Sequence, residues 1–149
     1  MDTTTIAQRL RTFLLVLAGW MCAGTIVELL LAEHTESLVQ LIPFVLCGLG
    51  LIAVAGALLR PSRGTLIGLR AVMALLLVGS LIGVYEHFEG NLAFEMEIRP
   101  AATFGTIWLN VLKGAAPLLA PGILAVAAAI AIASTYYHPA LARDRGARR

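Results

Sequence analysis

Four apolar runs of about twenty residues each govern what this chain can fold into: Thr12 to Ala32, Leu38 to Leu59, Leu66 to Tyr85 and Ala115 to Tyr137. The hydrocarbon core of a bilayer is about 30 Å thick and takes roughly 20 residues of helix to cross. Inside it every backbone N–H and C=O needs a partner within the protein, so separate apolar runs cross as helices. With 59% hydrophobic and 13% charged residues and a mean hydropathy of +0.86, the chain is too apolar for an ordinary soluble domain. The expected fold is an all-α integral membrane protein, one domain over residues 1–149, with four transmembrane helices in an antiparallel bundle. The lipid bilayer is its first partner.

The first run follows Arg9 and Arg11, as the apolar region of a secretory signal would. It is too long for that role, however, and lacks a small-x-small cleavage site. Basic residues flanking membrane helices stay on the cytoplasmic side. Arg9, Arg11, Arg60, Arg63, Arg70, Arg143, Arg145, Arg148 and Arg149 fall on one side of the four runs, and only Arg99 and Lys113 on the other. An even number of spans then places both termini in the cytoplasm, in what reads as a bacterial inner membrane. The tail over 138–149 reads as a topology anchor, since no soluble domain exists to read nucleic acid.

The first two links, Glu33 to Ser37 and Arg60 to Gly64, are so short that their helices must be antiparallel neighbours. The third, 86–114, is long and lies outside. Within it Leu92, Phe94, Met96 and Ile98 alternate with Ala93, Glu95, Glu97 and Arg99 up to Pro100, the period-two pattern of a strand or short extended segment over 91–99. Phe104, Ile107, Trp108, Val111 and Leu112 then repeat at helical spacing, predicting an amphipathic helix at the membrane interface. Pro117 and Pro121 suggest that the fourth helix proper starts near Pro121, after a bent entry over 115–120.

Helices in lipid associate through small residues that let backbones approach. Gly79 and Gly83 form such a pair on the third run, and Ala125, Ala129 and Ala133 a seam on the fourth. These seams and the outer elements suggest a homo-oligomer or a membrane partner protein.

One chemical pattern occurs twice, Glu33-His34-Thr35-Glu36 and Glu86-His87-Phe88-Glu89, each at the end of an apolar run expected to exit on the same face. The repeat reads either as an internal duplication or as the common habit of ending spans with polar residues. Imidazole and carboxylate together suit Zn, Mn, Fe or Cu. With the membrane-embedded Glu28, whose placement is itself a functional-site signal, the candidate metal ligands are Glu28, Glu33, His34, Glu36, Glu86, His87 and Glu89. The Glu-x-x-His spacing of ferritin-like di-iron sites is absent. Cys22 and Cys47 lie deep in the first two runs at similar depth and read as packing residues; no C-x-x-C accompanies them.

Other classes find little footing. A transporter places polar groups and broken helices near the midplane, where this chain has few. No Ser-His-Asp set or phosphate loop is present, so catalytic residues cannot be assigned. The sequence therefore predicts an accessory or assembly subunit acting by association, with a metal site at the outer rim as the competing reading.

Overall fold

A computed structural model describes residues 3–142, and among these every regular element is helical: α1 (Thr3–Leu31), α2 (Leu38–Leu59), α3 (Arg63–Ile98), α4 (Phe104–Leu112), α5 (Leu119–Ser134) and α6 (Pro139–Ala142). Arg143, Arg145, Arg148 and Arg149 of the basic tail lie outside the described residues. Three helices, α1, α2 and α3, are long and apolar enough to cross a membrane; α5, with 16 residues, is a shorter apolar helix. The described residues are thus those of an all-helical integral membrane protein.

The polar breaks are written as caps. Ser37 accepts from the Gln40 N–H, and the Gln40 side chain accepts from the N–H groups of Glu36 and Ser37. Ser62 and Thr65 form the same reciprocal box at the start of α3, so two N–H groups that open each helix without a helical partner are satisfied. On α5 the helix starts at Leu119, two residues before the expected position, with Pro121 in its first turn.

Helix α1 packs on α2 and α5, and α3 packs on the same two, so α1 and α3 stand across from one another. The interior holds Leu15, Ala18, Cys22, Cys47, Leu69, Met73, Leu76 and Ala128. Close approach is built from small residues, as it must be where lipid tails are as apolar as the side chains they touch. A Cβ on Gly79 would overlap Leu46 of α2, and one on Gly83 would lie 2.9 Å from the Pro121 Cβ of α5. The glycine pair therefore serves two contacts inside the chain. On α5 the buried small residues are Ala127, Ala128, Ala131 and Ser134; Ala125 is half-buried, and Ala129 and Ala133 face outward.

The strand expected over 91–99 is absent. Helix α3 runs unbroken to Ile98, so the segment is the last part of a 36-residue helix. The residues it buries are Asn91 and Glu95, four apart, while Phe94, Met96 and Ile98 are exposed. The physical reason is that a single strand leaves its N–H and C=O groups unpaired. Leu, Ala, Glu and Met are also strong helix formers, and the preceding helix removes the nucleation cost.

Candidate functional site

The two Glu-His-x-Glu copies adopt different backbones. After α1 ends at Leu31, the His34 N–H reaches the Leu29 carbonyl at 3.0 Å and the Glu33 N–H reaches the Leu30 carbonyl at 3.2 Å. Glu33 takes φ 51. This is a Schellman C-cap, with a glutamate in the left-handed position that favours glycine. Glu36 is consumed at the α2 cap through its N–H. The second copy sits inside α3, in continuous helix. Identical spacing thus meets two unrelated local structures, which removes the geometric basis for reading the copies as one repeated unit.

Nor do the seven candidate ligands converge. The two copies ride on α1 and α3, which stand across from each other. Glu28, Glu33, Glu36, Glu86 and Glu89 are exposed, and His34 and His87 are half-buried. Among the described residues, no group of three or more His, Cys, Asp or Glu side chains is placed to hold a metal ion. His87 instead serves the backbone, with its Nδ1 lying 3.0 Å from the Pro117 carbonyl. A carbonyl only accepts, so Nδ1 carries the proton. Pro117 is four residues before Pro121, which has no N–H to return to that carbonyl. The carbonyl accepts from the Ala120 N–H at 3.1 Å, and His87 supplies the second donor that Pro121 lacks.

This contact belongs to a polar face that runs along α3 and serves the chain around α5. Arg70 Nε donates to Thr135 Oγ1 at 2.7 Å, with its guanidinium over the Tyr136 ring, so the residue turns inward to hold the end of α5. Ser80 Oγ donates to the Pro121 carbonyl at 2.6 Å and accepts from the Ala125 N–H at 3.1 Å, bridging a donor and acceptor that a helix normally pairs. Asn91 donates to the carbonyls of Val111 and Ala116 at 3.0 and 2.8 Å and accepts from the Ala116 N–H at 3.0 Å. Ser80, His87 and Asn91 are spaced seven and four apart, one helical face. His87 and Asn91 serve the irregular backbone between α4 and α5 and Ser80 the first turns of α5, groups that apolar surroundings would otherwise leave short of partners. The spacing was available in the sequence, but reading 91–99 as a strand hid it.

Beyond Tyr85, α3 rises another 20 Å or so to Ile98, and α4 folds back against it. Ile107 and Val111 of α4 are buried, with Asn91 and Glu95 of α3. Gly114 lets the chain pass, since a Cβ there would overlap the Asn91 amide. At the tip, Arg99 pairs with Glu95 at 3.7 Å. With the Asn110 amide oriented so that its oxygen faces the guanidinium, Arg99 also donates to it at 2.6 and 3.2 Å. The amphipathic face of α4 is thus divided: Ile107 and Val111 pack on α3, while Phe104, Trp108 and Leu112 stay exposed alongside Phe94, Met96 and Ile98.

The opposite, basic end has a crevice of about 560 Å³ lined by Arg11, Leu15, Ala57, Leu66 and His138 among others. Arg11 donates to the Tyr137 carbonyl at 2.9 Å, where Tyr137 takes φ 52. His138 Nδ1 accepts from the Ala140 N–H at 3.1 Å. Burial, then the Arg11 charge, hold His138 below the usual imidazole range.

Comparison with protein-family models, with curated proteins and with solved structures finds no match to this chain.

Proposed function

We propose that this is a small inner-membrane protein with four spans, α5 being the fourth, arranged as an antiparallel bundle with both termini cytoplasmic. It acts by association, as an accessory or assembly subunit whose docking element is the outer hairpin of α3 and α4. The contact register supports the antiparallel arrangement. Gly19 approaches Val54 while Gly50 approaches both Cys22 and Met73, and Gly79 approaches Leu46. Arg70 meets Thr135 while Asn91 meets Ala116. Numbers rise on one helix as they fall on its neighbour. The charge bias of the flanking arginines supports the orientation.

The observation that carries the functional reading is the length of α3. Its 36 residues make about 54 Å of helix, well beyond the roughly 30 Å a bilayer core requires. Buried polar contacts fix the projecting part against α4, yet its apolar side chains stay open. His87, Asn91 and Ser80, which a catalytic reading would recruit, are engaged in holding backbone. An exposed apolar surface on a rigid support is what a partner-binding element needs. The test is the native mass of the gently solubilised chain. Phe94→Ser with Trp108→Ser is expected to dissociate the complex, whereas Glu33→Gln, Glu86→Gln and Glu89→Gln together leave it intact. A wild-type chain migrating alone would refute the association reading.

A further inference from the structure

The basic end of the bundle is built as a step. Gly19 of α1 approaches Val54 of α2, and counting down that antiparallel register sets Arg11 level with Ser62, past the end of α2 at Leu59. The turns of α1 before Arg11 therefore project about 12 Å beyond α2. The crevice of about 560 Å³ lies in the corner between them, beside the start of α3 and the turn from α5 into α6. One wall is apolar and buried, with Leu15, Ala57 and Leu66; Gln8, Arg11, Thr12 and His138 make the polar lining. Arg11 is half-buried and uses Nη2 to hold the Tyr137 carbonyl. Its guanidinium stays charged and carries five donors, so most remain for another acceptor. Among the described residues no carboxylate accompanies it, since every described Asp or Glu falls between Glu28 and Glu97, toward the opposite end. His138 Nδ1 accepts from the Ala140 N–H, so the neutral ring carries its proton on Nε2, a further donor.

We propose that this crevice binds one anionic phospholipid, with the Arg11 guanidinium on the phosphate oxygens and the start of an acyl chain against the apolar wall. A planar guanidinium fork matches phosphate geometry, and basic pockets between membrane helices on the cytoplasmic side receive anionic headgroups. The level of the site supplies both halves of such a ligand. Arg11 closes the polar start of α1, and Phe13 and Val16 directly after it are exposed apolar side chains, so the guanidinium stands where headgroups meet hydrocarbon. Leu58 also lines the crevice and is exposed, which continues the apolar wall to the lipid-facing surface. A free phosphate ion would share the contact with Arg11 but leave that wall bare. The volume is within the range of about 300–1,000 Å³ that small-molecule clefts occupy. With both termini cytoplasmic, as proposed above, the lipid comes from the inner leaflet. Nothing at this end depends on the outer hairpin or on what it docks.

The test is native mass spectrometry of the delipidated full-length chain, titrated in detergent with palmitoyl-oleoyl phosphatidylglycerol or with the matching phosphatidylcholine. One phosphatidylglycerol retained per chain is expected, bound more tightly than the zwitterionic lipid. Arg11→Gln should weaken it about tenfold or more, as losing hydrogen bonds to a charged group does. Arg11→Lys, which keeps the charge without the fork, should fall between. Arg9 is exposed and outside the crevice lining, so Arg9→Gln removes the same charge and should cost only about twofold. Thr12 is an exposed lining residue; Thr12→Phe obstructs the crevice with Arg11 in place and should also weaken binding about tenfold, which decides the matter even where Arg11→Gln disturbs the Tyr137 turn. Inorganic phosphate in large excess should leave the lipid bound. Equal losses in Arg9→Gln and Arg11→Gln would mean diffuse attraction, and displacement by inorganic phosphate would mean a site for a soluble anion. Either result, equal retention of phosphatidylcholine, or unchanged binding in Thr12→Phe would overturn the proposal.

Discussion

Replacing Asn91 probes the polar face of α3 most sharply. The side chain is only 4% exposed and makes three hydrogen bonds of 2.8 to 3.0 Å to the chain before α5. Each intramolecular hydrogen bond contributes about 0.5–1.5 kcal/mol net, and a buried group left unpaired loses about 1–3 kcal/mol. The Val111 carbonyl retains a 3.4 Å contact from the Gly114 N–H, which softens its loss. Asn91→Ala should therefore cost about 3 kcal/mol, toward the middle of the range. Asn91→Asp is the more revealing change. It keeps an acceptor for the Ala116 N–H but turns a carboxylate oxygen on two carbonyls, so it should be at least as destabilising as alanine. Unfolding in mixed detergent micelles gives the free energies, and amide exchange should show protection lost at Ala116. A cost under about 1 kcal/mol, the worth of a single ordinary hydrogen bond, or an aspartate that substitutes freely, would overturn this role for Asn91.

The two Glu-His-x-Glu copies should respond oppositely to one substitution. Glu33→Gly relieves a left-handed residue that costs roughly 1–2 kcal/mol against glycine's entropy, a net gain of about 0.5–1 kcal/mol, while Glu86→Gly in mid-helix should lose about 0.7 kcal/mol; equal signs in unfolding titrations would contradict the assigned backbones. Gly83→Ala should destabilise by about 1–3 kcal/mol by pressing on Pro121, whereas the outward-facing Ala129→Val should stay within about 0.5 kcal/mol, both read from the same titrations. His138 is held below its unfolded value, so the unfolded chain binds the extra proton first. Stability should fall as pH drops below about 6.5 and be flat above it, and His138→Gln should remove that slope from a pH series of melting curves.

How much of this was legible in the sequence depended on which physical signal each segment carries. The three long spans follow from run length alone, and the caps at Ser37 and Ser62 fall in the polar breaks that ended those runs. The fourth run was harder, because Pro117 and Pro121 blur where the helix starts. The error over 91–99 arose because alternation of Leu92, Phe94, Met96 and Ile98 imitates a strand, whereas the residues that matter there are polar: Asn91 and Glu95 are buried at helical spacing. The candidate metal ligands were chosen by residue type, which cannot reveal that α1 and α3 stand across from one another or that His87 is engaged with the Pro117 carbonyl. The similar depth of Cys22 and Cys47 could be counted along their runs, but the arrival of Met73 beside Gly50 depends on how three helices pack.

Photo-crosslinking in native membranes puts the docking role of the outer hairpin to the plainest test. A photoreactive residue would be placed in turn at Phe94, Ile98 and Trp108, and at Val45 and Ile52 of α2, all of which are exposed. One discrete protein adduct of common mass is expected from the three hairpin positions, and only lipid adducts from the two on α2. Hairpin positions that yield no protein adduct, or that react no differently from α2, would contradict a docking role.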